Sequence, residues 1–282
     1  LELLTTASNV AVLAQVDLGR ATTMVLDTLY NFGMASESSI TMAENYAKAS
    51  DIMAFTANTV NASFEDIARS FENITGVAGT FNVTIEEASA LLQSLAKTGI
   101  RGSKAGTYVR NFMDDLLGAP ISQRAEKELS GTLNMGRYNA DLYGEGDFGA
   151  ARYIDELVES LSKLSFVTQQ DTIRAITNQR SRRVLRQELI EYKNGLKEVN
   201  GELRQTNSLY DRTVKLQADA QGALARMAEG LTGDTKHQFI KAQSAYNAAV
   251  NKAYLPAEPA LQGAAQSLQA LFRSDEFREA VT

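Results

Sequence analysis

The stretch from Lys97 to Phe112, KTGIRGSKAGTYVRNF, constrains this chain most, because its small residues can only be reconciled with a tight junction between two helices. Upstream, Thr84-Ile-Glu-Glu87 has the form of a capping box and predicts a helix from Ile85 with Leu91, Leu92, Leu95 and Ala96 on its buried face. Gly99 stands just past the last apolar position, where a left-handed residue ends a helix, and Ser103 is placed to cap a second helix predicted over Lys104 to Leu117. Ala105 and Gly106 leave room for another backbone, while Tyr108, Val109, Phe112, Leu116 and Leu117 recur at helical spacing. Gly99, Gly102, Ser103, Ala105 and Gly106 are therefore read as a structural corner. A phosphate-cradling loop does not fit, since neither the nucleotide P-loop spacing nor the dinucleotide glycine fingerprint is present.

Composition points the same way. Three prolines, no tryptophan, no cysteine and long Ala, Leu, Glu, Lys and Arg-rich tracts favour an all-α protein. Without cysteine there is no disulfide or thiolate chemistry. No run approaches the roughly 18 apolar residues of a membrane span, and the start carries no basic leader. The net charge of -6 is uneven: up to Gly99 there are 4 basic and 11 acidic residues, and afterwards 24 basic and 23 acidic. An acidic front third argues against gripping duplex DNA there.

In chain order, helices are expected from Leu1 to Gln15, from an Asp17 cap to Gly33, from Ser36 with Ser39 through Met53, and from Ser63 with Asp66 through Ile74. With the corner they form a compact helical core domain over residues 1–117. Residues 118–178 read as an insert: Gly118-Ala-Pro120 breaks the pattern, Gln123 to Leu129 makes a short helix, and 130–149 is an irregular loop or short hairpin. An amphipathic helix follows over Ala150 to Leu164, then a short one to Asn178 capped by Thr168 or Asp171. Residues 179–232 read as a long helix or coiled-coil tract, and 233–282 as C-terminal helices hinged at Pro256 and Pro259.

The tract from Ser181 carries Leu185, Leu189, Tyr192, Leu196, Val199, Leu203, Thr206, Tyr210, Thr213, Gln217, Ala220, Leu224, Met227 and Leu231 at a 4-3-4-3 spacing. This is the pattern of a coiled-coil seam, with Leu185, Leu189, Tyr192, Leu196, Val199, Leu203, Leu224, Met227 and Leu231 as candidate oligomer contacts. Gly195 and Gly201 each weaken a helix by about 1 kcal/mol relative to Ala, so two antiparallel helices broken near Gly201 stay open as the alternative.

No constellation of catalytic residues emerges. His237 is the only histidine, with Asp234 one turn before it in a capping position, and no nucleophile elbow accompanies them. Asp141, Glu145 and Asp147 lack the ligand rhythm of a calcium loop. The pairs Asp114-Asp115 and Glu86-Glu87 are expected where charge is solvated or favoured by a helix dipole. No catalytic, metal or cofactor-binding residue is assigned. Arg174, Arg180, Arg182, Arg183 and Arg186 form the one basic cluster, a candidate nucleic-acid contact against the plainer reading of a solvated helix face.

The corner also resembles a known sequence. GIRGSKAGTYVRNF is similar to the Gly-Ile-Lys-Gly-Ser-x-Ala-Gly-Thr-x-hydrophobic-Arg corner in the core of bacteriophage tail tape measure proteins of the lactococcal-siphophage type. Val25 to Met34, Phe64 to Phe71 and Thr80 to Leu92 resemble flanking segments of that family, in order, and the likeness runs from about Thr5 to Leu189. The resemblance implies a non-enzymatic virion protein, assembled in the host bacterial cytoplasm, that scaffolds the tail tube, helps fix its length and leaves ahead of the DNA. It implies as partners further copies of itself as trimer or hexamer, the tube protein, tail assembly chaperones, tail tip or distal tail proteins, and DNA transiently. It also implies a longer protein, and the start at Leu1 in place of Met is read as an internal piece or processed form. The competing expectation is a helical adaptor or DNA-contacting coiled-coil protein.

Overall fold

Capping chemistry sets several of the helix starts. In a computed structural model that describes residues 2–16, 18–118, 148–199 and 202–230, Thr84 and Glu87 close a capping box, as do Ser63 with Asp66 and Ser208 with Asp211. The helices are α1 (Glu2–Ala14), α2 (Leu18–Asn31), α3 (Ser39–Val60), α4 (Phe64–Ile74), the single turn α5 (Val77–Thr80), α6 (Ile85–Ala96) and α7 (Gly102–Met113). A π-helical turn, Asp114–Gly118, prolongs α7. Then follow α8 (Gly149–Lys163), α9 (Phe166–Ile176), α10 (Ser181–Gly195), α11 (Leu209–Ala220) and α12 (Ala223–Gly230). The protein is all-α, and the described residues include one small antiparallel hairpin of β1 (Leu196–Val199) and β2 (Glu202–Gln205).

That hairpin overturns the coiled-coil seam. Leu196, Val199 and Leu203, expected on one continuous helix, lie in paired strands in which Val199 faces Glu202 and leaves Asn200-Gly201 between them. Asn-Gly between two short strands is the dipeptide most favourable for a two-residue hairpin, and this local preference defeats the apolar period of the tract. The hairpin also takes up the carbonyls at the end of α10: Gln205 Nε2 donates to the Tyr192 carbonyl at 2.7 Å and Thr206 N to that of Gly195 at 2.9 Å. Leu185, Leu189 and Tyr192 are buried within the chain's own core, as is Leu224, so they are not free to form an oligomer seam.

The packing explains why. α10 and α11 lie against α6, with α10 also on α7 and α11 also on α3 and α8, so the expected rod is folded onto the front helices. The most extensive contact joins α4 to α7, and the core includes Tyr46, Met53, Phe71, Leu91, Phe112, Tyr153 and Leu185. Residues Leu1–Ala228 form one compact unit and Glu229–Thr282 a second. The expected Asp17 cap, the helix over Gln123 to Leu129, nearly all of the 130–149 loop, the Asp141, Glu145 and Asp147 cluster, Leu231, Asp234, His237 and the C-terminal helices lie outside the described residues.

Candidate functional site

Around the corner, the small residues do two different jobs. Gly99 has a φ of +81°, a left-handed conformation that ends the α6 segment as expected. Gly106 lies where α7 crosses α4 so closely that a Cβ there would sit 2.7 Å from Ser70 Cα and 2.8 Å from its carbonyl carbon, with the carbonyl oxygen nearer still. Ala105, one residue earlier, is also buried. Ser103 is not the cap of α7: the helix begins at Gly102 behind Arg101, which makes no side-chain cap, and Gly102 is itself left-handed at +59°. Instead the Ser103 hydroxyl accepts from Asn73 Nδ2 at 2.9 Å, tying α7 to α4. Arg101 reaches the other way, donating through Nε to the Val60 carbonyl at 2.6 Å where α3 ends. Beside this junction a hollow of about 550 Å³ is lined by Arg69, Glu72, Asn73, Thr75, Gly76, Ser103 and Arg110. Arg69 is held by Glu65 at 2.9 Å, while Arg110 and Glu72 bring charges of both signs to the lining.

The arginine cluster is only partly brought together. Arg174 pairs with Asp171 at 3.4 Å within its own helix, and half-buried Arg182 donates to the Thr177 carbonyl at 3.1 Å. Arg186 donates to Gln170 Oε1 at 2.6 Å, while Arg180 and Arg183 are exposed. The short α9 is capped by Ser165, whose Oγ accepts from Thr168 N at 3.3 Å, and not by Thr168 or Asp171.

What the sequence reading missed is a set of carboxylates that close helix starts far away in the chain. Asp51 of α3 accepts from Gly222 N at 2.7 Å and Leu224 N at 3.0 Å at the start of α12. Glu87 of α6 accepts from Ala151 N at 2.8 Å in the first turn of α8. Asp115 accepts from Asn178 N at 2.7 Å and from the Ser181 hydroxyl before α10. Asp155 of α8 accepts from Leu209 N at 2.7 Å and Tyr210 N at 2.8 Å at the start of α11. Each places negative charge against unsatisfied amides at the positive end of a helix dipole. Burial pushes the Asp155 carboxyl up to about 6, against the pull of the Tyr210 and Leu209 amides, and raises Glu87 in the same way. Glu86 and Glu87 are accordingly not solvated: both are buried, and Glu86 meets Lys48 Nζ at 2.7 Å.

A second buried cluster joins α6, α10 and α11. Arg212 donates to Glu188 and to Ser94 Oγ, and both Arg212 and Glu188 are largely enclosed. Glu191 accepts from Lys97 Nζ at 2.8 Å, Gln187 Nε2 at 2.8 Å and Asn207 Nδ2 at 2.9 Å. Burial pulls the Glu191 carboxyl up, but these donors outweigh it and hold it below the usual range. The signal for Glu188 was present in its position, on the same helix face as Leu185, Leu189 and Tyr192; that for Arg212 was not, since its partners are remote in sequence. These groups engage one another across three helices, although Glu188 Oε1 is buried without a hydrogen-bond partner, and they act as structural cross-links. Among the described residues no three His, Cys, Asp or Glu side chains gather as metal ligands, and no helix is long and apolar enough to cross a membrane.

No curated protein and no solved structure matches the chain. The family model of phage-related minor tail proteins does match, over residues 1–177, from α1 to the turn after α9. The chain therefore belongs to the family of phage-related minor tail proteins.

Proposed function

We propose that this structural tail protein is a segment of a tape measure protein, which scaffolds tube assembly, helps set tail length and has no catalytic activity. The observation that supports this reading is the corner: GIRGSKAGTYVRNF resembles the tape measure core, and its Gly106 seats α7 directly on the α4 backbone. Membership of a tail family fits the same role. Its partners would be further copies of itself, the tube protein, assembly chaperones and tip proteins, with DNA passing during ejection. Because the hairpin of β1 and β2 interrupts the stretch that resembled a rod, the described helices serve as a folded body of the ruler and do not measure by their own helical rise.

The test is made in a phage carrying the variant gene, with tails measured by negative-stain microscopy. Gly106→Leu should yield particles without tails or with tails of uncontrolled length. Deleting Val199 to Arg212 should have the same effect and should not shorten tails by the about 21 Å that fourteen helical residues would span. Normal numbers of wild-type-length tails from Gly106→Leu would sink the tape measure reading, and a uniform shortening of that size would restore the rod.

A further inference from the structure

The hollow beside the corner has rigid walls. α4 and α7 meet backbone to backbone at Ser70 and Gly106, and Asn73 Nδ2 donates to the Ser103 carbonyl at 3.2 Å as well as to its hydroxyl at 2.9 Å, so the two helices hold the hollow open in one shape. At about 550 Å³ it has the size of a small-molecule site, yet its lining is polar and charged. Arg69 is held by Glu65, whereas half-buried Arg110 and exposed Glu72 make no side-chain hydrogen bond or ion pair with any described residue, and none with each other. The Asp27 carboxyl of α2 senses the bare Glu72 charge: burial first and Glu72 second raise it above its ordinary value. One rigid hollow thus presents one cation and one anion, both unneutralised.

That pairing selects the class of ligand. A polyanion such as a nucleotide would meet Glu72 with Asp27 near it, and a cation alone would leave Arg110 unneutralised beside Arg69. We propose that the hollow binds a small zwitterion of the α-amino acid or short-peptide class, its carboxylate on Arg110 and its ammonium on Glu72. A carboxylate suits Arg110 because the planar guanidinium offers paired donors that match two oxygens. The Ser103 hydroxyl, which accepts from Asn73, keeps its own proton to donate to the same carboxylate. At the other pole, Glu72 lies in the last turn of α4 and Thr75 and Gly76 follow it, where the negative end of the helix dipole favours an ammonium. Such a site would stand whether or not the protein measures tails.

The experiment is a ligand-observed NMR titration of the purified full chain at neutral pH and low salt, with glycylglycine as the probe and acetate and methylammonium as its two halves. The parent should bind glycylglycine with a Kd of about 1 mM or tighter, and each half at least about tenfold more weakly. Arg110→Gln and Glu72→Gln should each weaken glycylglycine at least about tenfold, with circular dichroism verifying the fold. Arg110→Glu should abolish binding, and Glu72→Arg added to it should recover part, because exchanged charges still bracket a zwitterion in the reverse orientation. A merely structural role would leave the double variant as weak as the single one. No binding by the parent up to about 10 mM glycylglycine would overturn the proposal. So would acetate or methylammonium bound as tightly as the dipeptide, or either glutamine variant matching the parent; the comparison of the three probes on the parent needs no variant to fold.

Discussion

Replacing Gly106 by alanine sets two opposing effects against each other. Alanine favours a helix interior by about 1 kcal/mol over glycine, so propensity alone predicts stabilisation. The added Cβ, however, would sit 2.7 Å from Ser70 Cα and 2.8 Å from its carbonyl carbon, and these are backbone atoms that cannot rotate aside. α7 must back away from α4, loosening the most extensive helix contact of the fold, and overpacking of this kind costs about 1–3 kcal/mol. Net destabilisation of about 1–2 kcal/mol is expected for Gly106→Ala and at least about 3 kcal/mol for Gly106→Leu. Two other glycines separate sterics from backbone strain. Gly79 has open space and an ordinary φ, so Gly79→Ala should be neutral or slightly stabilising. Gly99 also has open space but a φ of +81°, so Gly99→Ala should cost about 1–2 kcal/mol through strain alone. Urea unfolding followed by circular dichroism ranks the four, with about 2–4 °C of melting temperature per kcal/mol as a cross-check. A Gly106→Ala protein as stable as the parent, or less perturbed than Gly79→Ala, would refute the close approach of α7 to α4.

Further outcomes follow from the buried charges. Asp155 has a folded value of about 6 against an ordinary 3.8, so the folded state holds its proton more tightly, and the stability this contributes is present below about 4 and lost as pH rises through 6. Glu87 is raised too, and Glu191, which is lowered, loses its contribution only below the usual carboxylate range, so the urea midpoint should be higher at pH 5 than at pH 7. Asp155→Asn should flatten most of that slope, worth about 1 kcal/mol between pH 5 and pH 7; an unchanged slope would remove Asp155 as its source. Arg212→Met strands the buried Glu188 carboxylate and should destabilise by about 3–5 kcal/mol, with Glu188→Leu added on top recovering much of the loss in a double-mutant cycle. Leu189→Asp should abolish cooperative unfolding of the chain, whereas a coiled-coil seam would have given a folded monomer; a well-folded variant would count against its place in the core.

The parts of this fold that the sequence announces are those decided within a turn of helix. Ser63 with Asp66 and Thr84 with Glu87 specify helix starts locally, and Gly99 marks an end, because each satisfies or releases backbone groups within a few residues. Gly106 is legible for a related reason, since a glycine inside an apolar helical pattern is costly unless another backbone approaches. Ser103 shows the limit: a hydroxyl near a helix start fits capping by pattern, yet Asn73, thirty residues upstream, claims it. The heptad tract failed through competition between two local signals. Its apolar spacing asked for a helix while Asn200-Gly201 asked for a turn, and tertiary packing of α10 and α11 on α6 settles the matter.

The distant carboxylate caps carry a consequence for how the family match relates to the folded unit. The match ends at residue 177, but the helices after it are tied to those before it through their starts: α10 by Asp115, α11 by Asp155, α12 by Asp51. On the other side of each bond, the carboxylate is positioned by a helix that lies within the matched region. Lys97 to Glu191 and Ser94 to Arg212 close the same gap through side chains. Removing everything beyond residue 177 would uncover the faces of α6, α7 and α8 on which α10 and α11 pack, and would strand Asp51, Asp115 and Asp155 without the amides they neutralise. A unit that needs both halves to satisfy its buried polar groups folds and unfolds as one. Helices α10 and α11 are therefore part of the same cooperative body as the helices the family model matches.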